Sequence, residues 1–534
     1  MRFLLPLLGA FFFVRGAVAG GSDKIYGVNL GSWLVLESWM LPAEWVAMGG
    51  ETCSDCSTCI ATESAFAKAY PDTVDQTFAK HWSTWFTQDH VNQLKSYGIN
   101  TVRIPLGYWI VEALVDRKTE YYPRGGIKFL INGVKMLRDA GMQVILDHHA
   151  LPGVQTPGQM FTGNCTSDVQ FYTPYNYGRA LTWTAVMTTI AHLHPNFESV
   201  FAIEAVNEPI MDASKTPDYG DFQKNFVKTI RAVELLLGIS IPGHGLDIGV
   251  SLNGLNLTSA VSIASASDKS GLFSPEVTKA ITFALPILLE MELELGLPGI
   301  LEIGKAKSRG GNWKALTTNF MDINWQYNDP ANPADAAIGP QGYDNHLYYN
   351  FGGVADPNPN AYMASICNLT RVQNDAALGN SPLWFGEWAI TTNFNATDAF
   401  LRDWGDAQKL AYSKGAGWIW WNFRVEQSEQ AGDLGRQWSY LEAVERGFMT
   451  KDPSQVHDPN VCDKYPMPTP SSSSVSSSTS TSASAPASSS TSMHSSAPTS
   501  GSKPSTSAAL STSSESRATS STAPASSASS STKA

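Results

Sequence analysis

The 534-residue chain has no block of one charge sign, no clean apolar run of bilayer length, and no glycine-rich phosphate loop after any strand-like segment. Its 36 Lys and Arg against 48 Asp and Glu give a net charge of −12 and are dispersed. That argues against a nucleic-acid or anionic-membrane partner and for a neutral ligand. The missing phosphate loop counts against a doubly wound nucleotide-binding sheet. From 467 to 534 large apolar residues almost vanish, and Ser, Thr, Ala and Pro replace them. Such a segment cannot bury enough surface to fold, so a disordered, O-glycosylated tail is expected there. No hydrophobic stretch follows it, so no lipid-anchor signal is expected.

At the other end, Met1-Arg2, an apolar block from Phe3 to Val14 and Ala17-Val18-Ala19 read as a signal peptide over 1–19. The block is too short for a membrane span. A secreted protein, extracellular or in a cell wall, is the expectation. Cysteine is scarce, six in all: Cys53, Cys56, Cys59, Cys165, Cys367 and Cys462. The CxxCxxC cluster lacks a second ligand pair at zinc spacing, so disulfides are expected, in a pairing that sequence leaves open. Asn-x-Ser/Thr sites at Asn164, Asn256, Asn368 and Asn395 fit a secretory route.

The body, 20–466, contains no linker. It reads as alternating strands and helices. Strands are expected at Ile25–Gly31, Thr101–Leu106, Gln143–His149, Ser199–Glu208, Leu246–Leu252, Gly342–Tyr349, Pro382–Trp388 and Gly417–Phe423. Helical spacing lies between them, as in Ile127, Leu130, Ile131, Val134 and Leu137 before Gly141. Eight strands with polar residues at their carboxyl ends predict an α/β fold, a (β/α)8 TIM barrel with loop insertions. The apolar run from Glu276 to Ile303 is interrupted by Pro286, Pro298 and three glutamates. It predicts a helical insertion after the fifth strand, against the barrel flank or as a lid over the cleft.

Two strands end on glutamate: the run Ser199–Pro209 (SVFAIEAVNEP) on Glu208, and Pro382–Trp388 (PLWFGEW) on Glu387. A carboxylate ending a buried strand belongs at the sheet's edge, where Pro209 stops the ladder. Two such carboxylates facing one cleft suit glycoside hydrolysis, which needs a proton donor at the leaving oxygen and a carboxylate at the anomeric carbon. Arg103, placed at the end of the second strand, is a candidate to keep the nucleophile ionised. The 16 Trp and 18 Tyr offer flat faces for sugar rings.

Asn207-Glu208-Pro209 and Trp384–Trp388 (WFGEW) resemble the pattern of glycoside hydrolase family 5. Gly27–Glu37 (GVNLGSWLVLE), Arg103–Trp109, Asp147–Gln155 (DHHALPGVQ) and Gly417–Glu426 further resemble its fungal exo-β-1,3-glucanase and β-1,6-glucanase branch. The resemblance implies a retaining β-glucanase with Glu208 as acid/base, Glu387 as nucleophile and Asn207 on the sugar 2-hydroxyl. It implies Arg103 beneath the nucleophile, His149 after the third strand, and His346 and Tyr348 after the sixth, the tyrosine bonding the nucleophile. Trp421 would be the sugar platform and Glu37 a grip on sugar hydroxyls, while His148 reads as structural. No metal or organic cofactor is implied, and the implied partner is a β-glucan polysaccharide; a monomer is expected, although sequence does not give the oligomeric state. Ala150, Phe423-Arg424, the cysteine loop and the insertion depart from the exo-enzymes, so linkage, 1,3 or 1,6, and exo or endo action stay open. A β-1,4-glucanase or mannanase on the same barrel, and a non-catalytic glucan-binding wall protein, are the alternatives.

Overall fold

The computed structural model describes residues 24–243, 257–268, 270–296, 312–325 and 330–466. The leader, the Ser/Thr-rich tail from 467, Asn256 and the segment Leu246–Leu252 lie outside the described residues. Eight parallel strands close into a barrel in sequence order. They are β1 Ile25–Asn29, β2 Thr101–Gly107, β3 Gln143–Ala150, β4 Val200–Glu204, β5 Thr317–Met321, β6 Gln341–His346, β7 Leu383–Glu387 and β8 Gly417–Trp420. β8 closes on β1, with Ile25 opposite Gly417 and Val28 opposite Trp420.

Three sequence expectations change. The fifth strand is Thr317–Met321, not Leu246–Leu252. β4 ends at Glu204, so Glu208 stands four residues past the strand. Arg103 is the third residue of β2 rather than its end, and its side chain points into the barrel.

Flanking helices begin and end on local signals. Thr173 accepts the Asn176 N–H and Pro174 fits the first turn of the helix Pro174–Leu193. Gly141, at φ 81°, ends the helix Gly126–Ala140. The inserted helix Pro275–Met291 precedes β5 instead of following it, and packs against the flanking helices Pro174–Leu193 and Tyr219–Leu237. Among the described residues no helix is long and apolar enough to cross a membrane.

Because strand side chains alternate, the barrel interior is filled in layers. Ile25, Ile145, Ala202, Trp384 and Ile419 form a dry floor, separate from the larger core between sheet and helices. Gly342 makes room for it, since a Cβ there would lie 2.3 Å from the Trp384 ring. Two residues further along their strands come Asp147 and Glu204, in a polar layer with Asn29, Arg103 and Asp344. The register between β6 and β7 shifts after Asp344, which aligns His346 with Glu387 at the mouth.

All six cysteines are paired: Cys53–Cys59, Cys56–Cys165 and Cys367–Cys462. The second staples the loop after β1 to the loop after β3. The third ties the segment after β8 to the helix Pro359–Cys367.

Candidate active site

Arg103 organises the site from below. Its Nε donates to Glu204 at 2.8 Å, Nη1 to Asn29 at 3.1 Å and to Glu387 at 3.0 Å, and Nη2 to Asn207 at 2.7 Å. Asp147 lies 3.1 Å from Nη2 and Asp344 3.7 Å from Nε. One buried cation therefore faces four carboxylates. Burial raises them, Asp147 to about 7 against the pull of Arg103, and Asp344 well above the usual carboxylate range.

At the mouth, His346 bridges the two glutamates. Its Nδ1 is 2.8 Å from Glu208 Oε1 and 3.5 Å from Glu387 Oε2, and an oxygen of each carboxylate lies within 4.8 Å of the other. Burial pushes the imidazole down to about 4, so the ring is neutral near neutrality. Tyr348 donates its hydroxyl to Glu387 Oε2 at 3.0 Å. Glu208 adopts φ 40°, and Thr156 donates to its backbone carbonyl. This turn swings a carboxyl outside the strand back over the barrel.

Burial is the leading cause that raises both glutamates, Glu208 to about 7 and Glu387 to about 8. Glu387 is raised the further of the two even against the pull of His346 and Arg103. Glu387 accepts from Arg103 and from Tyr348, both of which favour its anion. Glu208 meets a neutral ring nitrogen that can accept its proton. The hydrogen bonds thus give Glu387 two donors to its anion and Glu208 a neutral ring nitrogen that can accept a proton.

Around this centre, Asn207 Oδ1 is committed to Arg103, leaving the amide N–H groups to donate elsewhere. His149 bonds Asp147 at 2.6 Å and lies parallel to Trp421, ring centroids 5.6 Å apart. Trp421 follows β8 and lies over Gly31, where a Cβ would come within 2.8 Å of its ring. Glu37 accepts from Trp39 Nε1 at 3.0 Å, and burial raises it to about 7. His148 points away, buried and stacked on Trp183 at 3.9 Å.

The structure thus gathers Arg103, Asn207, Glu208, His346, Tyr348 and Glu387 directly. His149 and Trp421 form a wall beside them. Glu37 lies near enough to feel the charge of Glu208 and to act on Glu387. Sequence reasoning missed Asn29, Glu204, Asp344 and Glu63. The last is a fully buried carboxyl, raised to about 8 by burial, that accepts the Leu36 N–H beside Glu37. For Glu204 the signal was available: an acid inside an apolar strand, Val200–Glu204 (VFAIE), has no place in a dry core.

The family profile described as Cellulase (glycosyl hydrolase family 5) matches residues 67–427. Glucan endo-1,6-beta-glucosidase B of Emericella nidulans is 31% identical over 459 residues, 83% of this chain and 88% of that protein. A probable glucan 1,3-beta-glucosidase A of Aspergillus clavatus is 34% identical over 197 residues, 36% of this chain and 43% of that protein. Among solved structures, rutinosidase from Aspergillus niger superposes with a TM-score of 0.50 at 17% identity, covering 80% of this chain and 97% of that one, a likeness of fold. The match over most of the barrel makes this chain a glycoside hydrolase, and it belongs to glycosyl hydrolase family 5.

Proposed function

We propose that this protein is a secreted, retaining endo-β-1,6-glucanase. The observation that carries the catalytic reading is the meeting of Glu208 and Glu387 on His346, with carboxylate oxygens within 4.8 Å. Retaining glycosidases hold their carboxyl groups ~5 to 5.5 Å apart, whereas inverting ones leave room for a water between them.

In the first step Glu387 Oε attacks the anomeric carbon while Glu208 gives its proton to the departing glycosidic oxygen. A covalent glycosyl-Glu387 forms and the aglycone leaves as an alcohol. In the second step Glu208, now a carboxylate, takes a proton from water, whose oxygen attacks the same carbon and frees Glu387. Arg103 and Tyr348 stabilise the carboxylate of Glu387 before attack and after release. Asn207 donates to the sugar 2-hydroxyl, a bond that strengthens as the ring flattens toward the transition state. Trp421 stacks under the sugar and Glu37 binds its hydroxyls.

The 1,6 linkage and endo action are favoured by the relative matched along 88% of its length. Three disulfides among the described residues fit an oxidising compartment. The test is digestion of linear β-1,6-glucan and linear β-1,3-glucan with products followed over time. A ladder of β-1,6 oligosaccharides supports the proposal. Glucose released from the 1,3 polymer alone would replace it with an exo-1,3 enzyme.

A further inference from the structure

Two buried polar atoms lie 3.9 Å apart with no hydrogen-bond partner, His346 Nε2 and Asp344 Oδ2, the latter with only Arg103 Nε at 3.7 Å. An unpaired buried donor or acceptor is costly, and catalytic hydrogen bonds are often long until substrate closes the site. We propose that Asp344 is a positioning residue that accepts the Nε2 proton of His346, so that the Nδ1 lone pair faces Glu208 and holds it in its acid form.

The arrangement follows from the neighbours on every side. Asp344 meets Arg103 of β2, Glu204 of β4 and Glu387 of β7, and its Oδ1 already accepts the Gly386 N–H at 2.5 Å. Burial, Glu204 and Glu387 all press its carboxyl toward the neutral state, which a further donor at Oδ2 offsets. The donor at hand is the orphaned Nε2 of His346, which must move in from 3.9 Å to bond it. His346 in turn faces Glu208, Glu387, the edge of Trp325 and, more distantly, Glu204, His149 and Arg103. With Nε2 protonated, Nδ1 can only accept, and the group 2.8 Å away with a proton to give is Glu208. Gly386 is part of the device, because a Cβ there would collide with the Asp344 carboxylate.

This inference rests on the reading of Glu208 as acid/base, and the experiment separates the two. Asp344→Asn replaces the acceptor by a group that can donate to Nε2, which turns Nδ1 into a donor and favours ionised Glu208. On β-1,6-glucan its kcat/KM should fall about 10- to 100-fold, with the basic limb of the pH profile moved to lower pH. The burst of dinitrophenolate from a 2,4-dinitrophenyl β-gentiobioside, whose leaving group needs no acid, should change about threefold or less. Glu208→Ala is the control and should show the same selectivity, more strongly. If Glu208→Ala slows both substrates alike, the acid/base reading fails. If Glu208→Ala is selective but Asp344→Asn slows both alike or neither, the positioning role is overturned. A 15N spectrum of His346 in the unsubstituted enzyme needs no variant to fold. Protonated Nε2 and bare Nδ1 at the pH optimum are expected, and the opposite tautomer overturns the proposal.

Discussion

The floor of the barrel and the layer above it come from the same strands, two residues apart, and solve opposite problems. Ile145 and Ala202 belong to the floor, Asp147 and Glu204 to the charged layer. The floor is dry, closely packed and indifferent to pH. The upper layer gathers four carboxylates on one guanidinium out of water, an arrangement an apolar core of equal volume would better for stability. Its return is functional. A cation fixed under Glu387 holds that carboxylate in place, and burial, aided by the charges of Asp147 and Glu204, raises Glu208 toward neutrality. Each change below should therefore affect one layer without the other.

Glu387→Ala breaks the chemistry most severely. Turnover of β-1,6-glucan should drop by at least about 10^4-fold while glucan binding persists, as reducing-end release and affinity electrophoresis would read. Arg103→Met strikes the charged layer itself and leaves its acids without a counter-ion. A loss of about 3–5 kcal/mol in denaturant unfolding is expected, together with activity. Unfolding unchanged by this substitution would mean that the hub carries no structural weight.

The pH dependence of stability sharpens the contrast. Asp147, Glu37 and Glu208 are raised to about 7, and Glu63 and Glu387 to about 8. A carboxyl with a raised folded-state pKa holds its proton in the folded protein after the unfolded chain has lost it, so folding weakens as pH climbs from the unfolded value to the folded one. Histidines lowered by burial oppose this trend, half-buried His90 and buried His346 to about 4 and His148 and His149 further still, but only up to the unfolded histidine value near ~6.5. From about 6.5 to 8 the carboxyls outnumber the opposing Lys409, lowered by burial to about 8, and the melting temperature should fall with rising pH. A melting temperature that rises across that window would contradict the protonation pattern. The smallest effect belongs to the floor: Ile145→Val should cost about 0.5–1.5 kcal/mol and leave the pH–rate profile where it was.

Barrel and glutamate pair were legible because each left a local mark: strand formers ending on Glu387, helices ending at Gly98 and Gly141, and Asn207-Glu208-Pro209 breaking an apolar run. The fifth strand left almost none. Thr317–Met321 is five residues with Thr, Thr and Asn in its first three positions, and Asn319 is fully buried inside the closed barrel. Leu246–Leu252 has the stronger strand composition, so it drew the assignment. Arg103 was legible as a charge in an apolar strand, but its partners reach it from β3, β4, β6 and β7. No periodicity along one strand reports a layer assembled across four others. For Glu208, an ordinary strand continuation fails because φ 40° turns the chain at that residue.

The most direct test of the central claim is to trap the intermediate. A 2-deoxy-2-fluoro β-gentiobioside with an activated leaving group should inactivate the enzyme and leave one glycosyl group on the peptide that contains Glu387. Label on Glu208 or Glu37, or turnover with inversion at the anomeric carbon and no label, would contradict the assignment.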